Sequence, residues 1–282
     1  MSNFRDENGF IKIDKILDKK IGCSLDKFSF MLDGKKYYYK KILDKKIVYN
    51  ELIAYEISKD YGIPCVDYDL ASFNGLYGVF SEDFIGDSKF ISMKGILSEY
   101  YDDLKIESNN LTDIISALEF RYKNPIIVGK LMNDIVNIFI FDVLIANVDR
   151  HYDNYGILED KTGIRIAPIF DNTFMLSDLT LLDGGYSLGV DGDDNFLSDD
   201  YFDFGDKYLI KFLKYSSSEY VDYLKSKLWI IESENVDRIL SRVENKIHTK
   251  IDENIKKGIK VKFKINLDNI NYALEYCNER KL

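Results

Sequence analysis

Proline is scarce in this chain, with three among 282 residues, and no low-complexity linker interrupts it. The cysteines Cys23, Cys65 and Cys277 are few, odd in number and without metal-ligand spacing, which points to a reducing cytoplasm. Positive charge is in deficit: 38 Lys and Arg stand against 48 Asp and Glu, a net charge of −10. Non-specific grip on nucleic acid depends on neutralising phosphates, so direct nucleic acid binding is not expected. Neither a signal peptide nor an uncharged membrane span is read, although export without a recognisable signal stays open. Glycine is thin where it would matter for nucleotides. Ile21-Gly22-Cys23-Ser24-Leu25-Asp26-Lys27 has one glycine, whereas phosphate cradles usually carry several so that backbone N–H groups can approach the oxygens.

What is present is a 46% hydrophobic chain long enough for two lobes, each with its own core. Aromatic runs at Phe28–Leu32 and Tyr37–Lys40 flank Asp33-Gly34, and Tyr68–Phe73 and Leu76–Ser81 flank Asn74-Gly75, so two β-hairpins are expected. Val48, Leu52, Ile53, Ile57 and Tyr61 recur at helical spacing before Gly62 and Pro64 stop the helix. Strand-like alternation is read as ending near Phe84, with helical patterns beyond. Gly129–Ala146 is apolar nearly all round and should be a buried helix. Asp142 within it needs a partner, from the following loop backbone or from His151.

The most informative stretch follows that helix: Asp149-Arg150-His151-Tyr152-Asp153-Asn154, then a hairpin pattern, then Pro168-Ile169-Phe170-Asp171. Phosphoryl transfer needs a carboxylate to orient the attacking hydroxyl and oxygen ligands to hold Mg²⁺ against phosphates. In protein kinases the catalytic Asp is followed five residues later by a metal-binding Asn, and a second metal-binding Asp comes after a short hairpin. Asp149, Asn154 and Asp171 match that order, which makes Asn154 and Asp171 the metal candidates.

The block from Leu144 to Thr173, "LIANVDRHYDNYGIL…IAPIFDNT", resembles the catalytic core of the HipA-like serine/threonine kinases, including their compact, CtkA-type members. Weaker similarity runs from about Cys23 to about Val190. The resemblance implies an α+β, two-lobed protein-kinase-like fold, with a β-rich ATP-binding lobe over residues 1–84 and a helical catalytic lobe over 85–282. That second lobe would divide into a core with activation segment (85–205) and a helical tail (206–282), whose amphipathic patterns surround Tyr208–Leu213, Tyr220–Trp229, Val236–Ile247 and Leu267–Cys277. It implies ATP and Mg²⁺ as cofactors, with Lys40 as the phosphate lysine and Glu51 as its helix partner; Lys41 and Glu56 are the alternatives. Gly22, Ser24 and Lys27 would serve as the phosphate loop, and Glu82, Asp83 and Phe84 as the hinge against adenine. Asp142, Arg150 and His151 would support the catalytic loop rather than act in it.

The same resemblance implies a free-standing kinase core or one subunit of a split toxin–antitoxin system. Its partners would be a protein substrate of unknown identity and an antitoxin. Thr173, Ser177, Thr180, Ser187 and Ser198 are candidate phosphorylation sites in or near the activation segment. Asp191–Asn195 opens like a calcium loop, but Phe196 and Phe202 occupy the positions that need Gly and an acid, so it reads as an acidic surface loop. Two rival functions stand beside the protein kinase: a phosphoinositide-type lipid kinase, disfavoured because Asn172-Thr173 replaces the usual Phe-Gly, and a nucleotide-binding pseudokinase.

Overall fold

The computed structural model describes residues 5–13, 18–20, 27–42, 47–101, 111–147, 149–176 and 218–279. Gly22, Ser24, Ser177, Thr180, Ser187, Ser198, the Asp191–Asn195 loop and the Tyr208–Leu213 pattern lie outside them.

Six strands make the N-terminal sheet: β1 (Ile11–Ile13), β2 (Asp18–Lys20), β3 (Lys27–Leu32), β4 (Lys35–Lys41), β5 (Tyr68–Phe73) and β6 (Leu76–Glu82). Their order is β1-β5-β6-β4-β3-β2, antiparallel except that β1 runs parallel to β5. Both expected hairpins form. Asp33 and Gly34 have φ of 50° and 79°, and Asn74 and Gly75 have 50° and 75°, so each pair takes the left-handed turn that matches strand twist. β1 and β2 escape sequence reading because three residues are too short to show a period.

The sheet has two unlike faces. On one, Phe28, Phe30, Tyr39 and Phe80 form an aromatic cluster with Ile11, Ile13 and Ala71. Successive side chains alternate between faces, so Lys40 projects to the opposite face from Tyr39. There Leu70 and Val79 join the main core, against helix α1 (Asn50–Tyr61). Gly62, with φ 91°, ends α1 by donating its N–H to the Ser58 carbonyl.

Strand pattern does not stop at Phe84. β7 (Lys89–Ser92) pairs with β8 (Gly156–Asp160), which pairs with β9 (Gly163–Ile166). β7 binds a partner more than sixty residues away, which no local pattern announces. Helices α2 (Met93–Tyr101), α3 (Leu111–Tyr122) and α4 (Pro125–Ile145) follow in the chain. α4 begins earlier than its apolar pattern: Asn124 Oδ1 accepts the N–H groups of Ile126 (3.0 Å) and Ile127 (3.3 Å), and Pro125 opens the helix. Its end is set by Ala146, in the left-handed conformation at φ 47°.

The C-terminal part contains α5 (Ser218–Lys227), a short 3₁₀ turn (Leu228–Ile231), α6 (Ser233–Ile247) and α7 (Glu253–Glu279). α6 grips α1 by charge. Arg242 pairs with Glu56 (3.0 Å) and with Asp60 (2.7 Å), and Asn235 donates to Asp60 at 3.3 Å. Among the described residues no helix is long and apolar enough to cross a membrane.

Candidate active site

Three chain segments meet between the sheet and α4. Lys40, on β4, directs Nζ to Glu51 of α1 at 3.3 Å, to the Thr173 hydroxyl at 2.7 Å, and to the Asp171 carboxylate. Glu51 is fully buried. Besides Lys40 it accepts from the Thr173 hydroxyl (2.8 Å) and the Asn172 backbone N–H (2.8 Å). The alternatives lie elsewhere: Lys41 falls on the Tyr39 side of the strand, and Glu56 is taken by Lys59 and Arg242. Lys27, at the start of β3, lies 3.5 Å from Asp171.

Asp171 sits at φ 60°, a left-handed conformation that a short polar side chain tolerates better than most. Burial pushes its carboxyl up, but the charges of Lys40 and Lys27 outweigh that and hold it down at about 2. Its approach is fixed by the preceding residues: Ile169 N–H donates to Pro64 O (2.9 Å) and Val66 N–H to Ile169 O (2.9 Å). Its exit is fixed by Asn50, whose amide donates to the carbonyls of Thr173 (2.7 Å) and Met175 (3.0 Å), and by Leu176 N–H on Ala146 O at 3.0 Å.

The loop after α4 is organised around a buried arginine. Arg150 is 1% exposed and forms a two-pronged pair with Asp142, Nε to Oδ2 at 2.9 Å and Nη2 to Oδ1 at 3.0 Å. It also donates to the carbonyls of Asn154 (2.9 Å) and Phe170 (2.6 Å) and to Asn172 Oδ1 (2.6 Å). Asp142 therefore takes its charge partner from Arg150, with Asn147 adding a bond at 2.9 Å, and not from His151. A guanidinium presents a flat fork of donors that one imidazole cannot match. His151 is half-buried and its Nδ1 accepts the Asp153 N–H at 3.3 Å.

Asp149 and Asn154 lie on this scaffold. Asn154 Nδ2 donates to the Asp149 carbonyl at 2.8 Å, closing the loop across its five residues. Asp149 is half-buried; burial raises its carboxyl to about 6, with nearby Asp171 adding to the effect and His151 and Lys40 opposing it. Asn154 and Asp171 offer the oxygen donors that Mg²⁺ prefers. Among the described residues no group of three His, Cys, Asp or Glu is placed to hold a metal ion.

The hinge candidates are placed differently. Glu82 pairs with Lys35 at 2.8 Å on the exposed side. Asp83 donates its N–H to Lys36 O (2.9 Å) and accepts from Ile85 N–H (3.0 Å). Phe84 stacks on Phe170, centroids 5.5 Å apart, immediately before Asp171. Thr173, 1% exposed and bonded to Lys40 and Glu51, is no accessible phosphorylation site. Asn50, Asn147 and Asn172 escaped the sequence reading. Asn50 is adjacent to Glu51 and Asn172 to Asp171, but an amide in isolation signals nothing until its partners are known.

Sequence and fold comparisons agree with this arrangement. The model of the HipA-like C-terminal domain matches residues 24–251. The chain belongs to the HipA-like C-terminal domain family. The Helicobacter pylori proinflammatory kinase CtkA shares the fold with a TM-score of 0.69 and 20% identity, over 95% of this chain and 97% of the other. HipA of the Shewanella oneidensis MR-1 toxin–antitoxin system, solved with HipB and operator DNA, gives a TM-score of 0.57 and 15% identity, over 93% of this chain and 67% of the other. No curated protein matches the sequence. In this HipA-like chain the α+β architecture is shared with both neighbours, while α7 lies beyond residue 251, where the family match ends.

Proposed function

We propose that the chain is an ATP- and Mg²⁺-dependent serine/threonine protein kinase of the HipA-like type. The observation that carries the reading is the convergence of Lys40 and Glu51 with Asp171, which lies more than 100 residues further along the chain, on a scaffold that also bears Asp149 and Asn154.

Asn154 and Asp171 would hold the metal, which supplies charge neutralisation at the transferring phosphoryl group. Lys40 has three N–H donors and three partners, Glu51, Asp171 and Thr173. It must exchange one of them to take a phosphate oxygen. Asp171 is the partner for which a cation competes, while Glu51 and Thr173 keep the lysine in place. Asp149 orients the acceptor hydroxyl. As the acceptor oxygen bonds to the γ-phosphorus and the bond to the ADP oxygen breaks, the acceptor's proton passes to Asp149, which must be ionised beforehand. A protein substrate, autophosphorylation outside Thr173 and an antitoxin-type protein partner belong to the same proposal; the last draws on HipA's complex with HipB.

The test is incubation of wild type and Asp149→Ala with Mg²⁺ and γ-labelled ATP, alone and with a cell lysate. Label should enter protein with wild type, and fall by about 10²–10⁴-fold in the variant while ATP affinity survives, as for loss of a positioned acid–base group. Label in lipid would favour a phosphoinositide-type kinase. No label with ATP binding intact would favour a pseudokinase.

A further inference from the structure

The helix beyond the family match reaches back to the site. Lys262 and Asn266 are four residues apart on α7 and so share one face. Lys262 Nζ donates to the Leu176 carbonyl at 2.7 Å. Asn266 Nδ2 donates to the carbonyls of Val143 (3.0 Å) and Leu144 (2.8 Å). Those two carbonyls belong to the last turn of α4, beyond which no continuing helix supplies i+4 donors; Val143 O also accepts the Ala146 N–H at 3.3 Å. Asn266 is fully buried, as are its neighbours Phe263 and Ile270 on the same helix.

The two anchored segments are the ones that carry the candidate chemistry. Val143 and Leu144 lead directly into the Asp149 loop, and Leu176 ends the segment that begins at Asp171. They are already joined by Leu176 N–H to Ala146 O at 3.0 Å and by the bridge between Asn147 and Met175. α7 therefore holds both strands of that junction from behind, with one ammonium and one amide.

We infer that Lys262 and Asn266 are positioning residues for the kinase site, so that a helix beyond the residues matched by the family model sets the relative placement of Asp149 and Asp171. The catalytic consequence rests on the kinase reading above; the structural consequence does not. Lys262→Met keeps the stem and removes the donors, whereas Lys262→Arg keeps a cationic donor. Asn266→Asp keeps the shape but, ionised, cannot donate to two carbonyls.

The experiment uses the full chain and two readouts. Turnover and ATP affinity are measured with labelled ATP, and amide hydrogen exchange is followed at Asn147, Asn154, Met175 and Leu176, with the β4 and β6 amides as remote controls. Lys262→Met and Asn266→Asp should lower turnover at least tenfold, leave ATP affinity within about threefold, and speed exchange at the four site amides but not in β4 or β6. Lys262→Arg should stay near wild type in both. Unchanged exchange at the site amides overturns the inference, as does faster exchange with unchanged turnover, or equal acceleration across the sheet. If wild type transfers no phosphate at all, the kinase reading fails, and local acceleration of the site amides still decides whether α7 positions them.

Discussion

Asp149 has an acidity that sets how the protein should respond to pH. Burial raises its carboxyl to about 6, and in the proposed mechanism only the ionised form can accept the acceptor's proton. In the free protein kcat/KM should therefore drop about tenfold per pH unit below about 6 and level off above it, as a pH–rate profile would record. A flat profile down to pH 5 would remove Asp149 from the acid–base role. Arg150 makes a different prediction. Its pair with Asp142 is buried on both sides, so Arg150→Met leaves an uncompensated buried carboxylate, a change that costs about 3–5 kcal/mol. Urea unfolding should show that loss, and Asp142→Asn in the same chain should recover part of it. Both roles were open to sequence reading only in part. The spacing of Asp149, Asn154 and Asp171 is visible along the chain, whereas the partner of Asp142 is not: the sequence offered the loop backbone or His151, and that Arg150 takes the place depends on how the loop turns.

β4 and β6 show how an element positions a side chain. A Cβ added at Gly78 would lie 2.1 Å from the Lys40 carbonyl and 2.9 Å from the Tyr39 ring, so the two strands pass this closely only because residue 78 is glycine. Gly78→Ala should push β4 away from β6, destabilise the protein by about 1–3 kcal/mol, and weaken ATP binding through displacement of Lys40; calorimetry of nucleotide binding beside urea unfolding checks both effects. The hairpins themselves were legible, since Asp-Gly and Asn-Gly specify their turns locally. The α1 helix was legible from its period and its Gly62 stop. β7 was not, since its pairing with β8 is a long-range choice, and β1 and β2 are too short to carry a pattern.

At the scale of the whole molecule, acid should unfold this protein through a few carboxylates that the fold keeps ionised. Burial works against ionisation at Asp171, Asp60 and Glu244. It is outweighed by Lys40 and Lys27 at the first, by Arg242 and Asn235 at the second, and by Lys250 and Lys256 at the third, so all three stay below their ordinary values. A lowered acid contributes stability that is complete above its ordinary pKa and is lost as pH falls towards its folded value. The window runs from the ordinary 4.5 of Glu244 to about 2 at Asp171. Asp149 has the opposite sign: its raised value makes the protonated form the favoured one, and its penalty appears as pH rises from 3.8 to about 6. Urea midpoints should therefore fall steeply as pH drops from 4.5 towards about 2, and fall only slightly as pH rises from 4.5 to about 6. By itself the amino-acid order determined the hairpins, the buried helix before the Asp149 loop and the Asp149, Asn154 and Asp171 series, since turn chemistry, periodicity and motif spacing are local properties. The tertiary structure alone decided that Lys40 rather than Lys41 meets Glu51, that Arg150 holds Asp142, and that α7 braces the site. Each of these is a contact between groups carried by different segments, eight residues apart for Arg150 and Asp142 and more than eighty for Lys262 and Leu176, and its geometry exists only once the chain has packed.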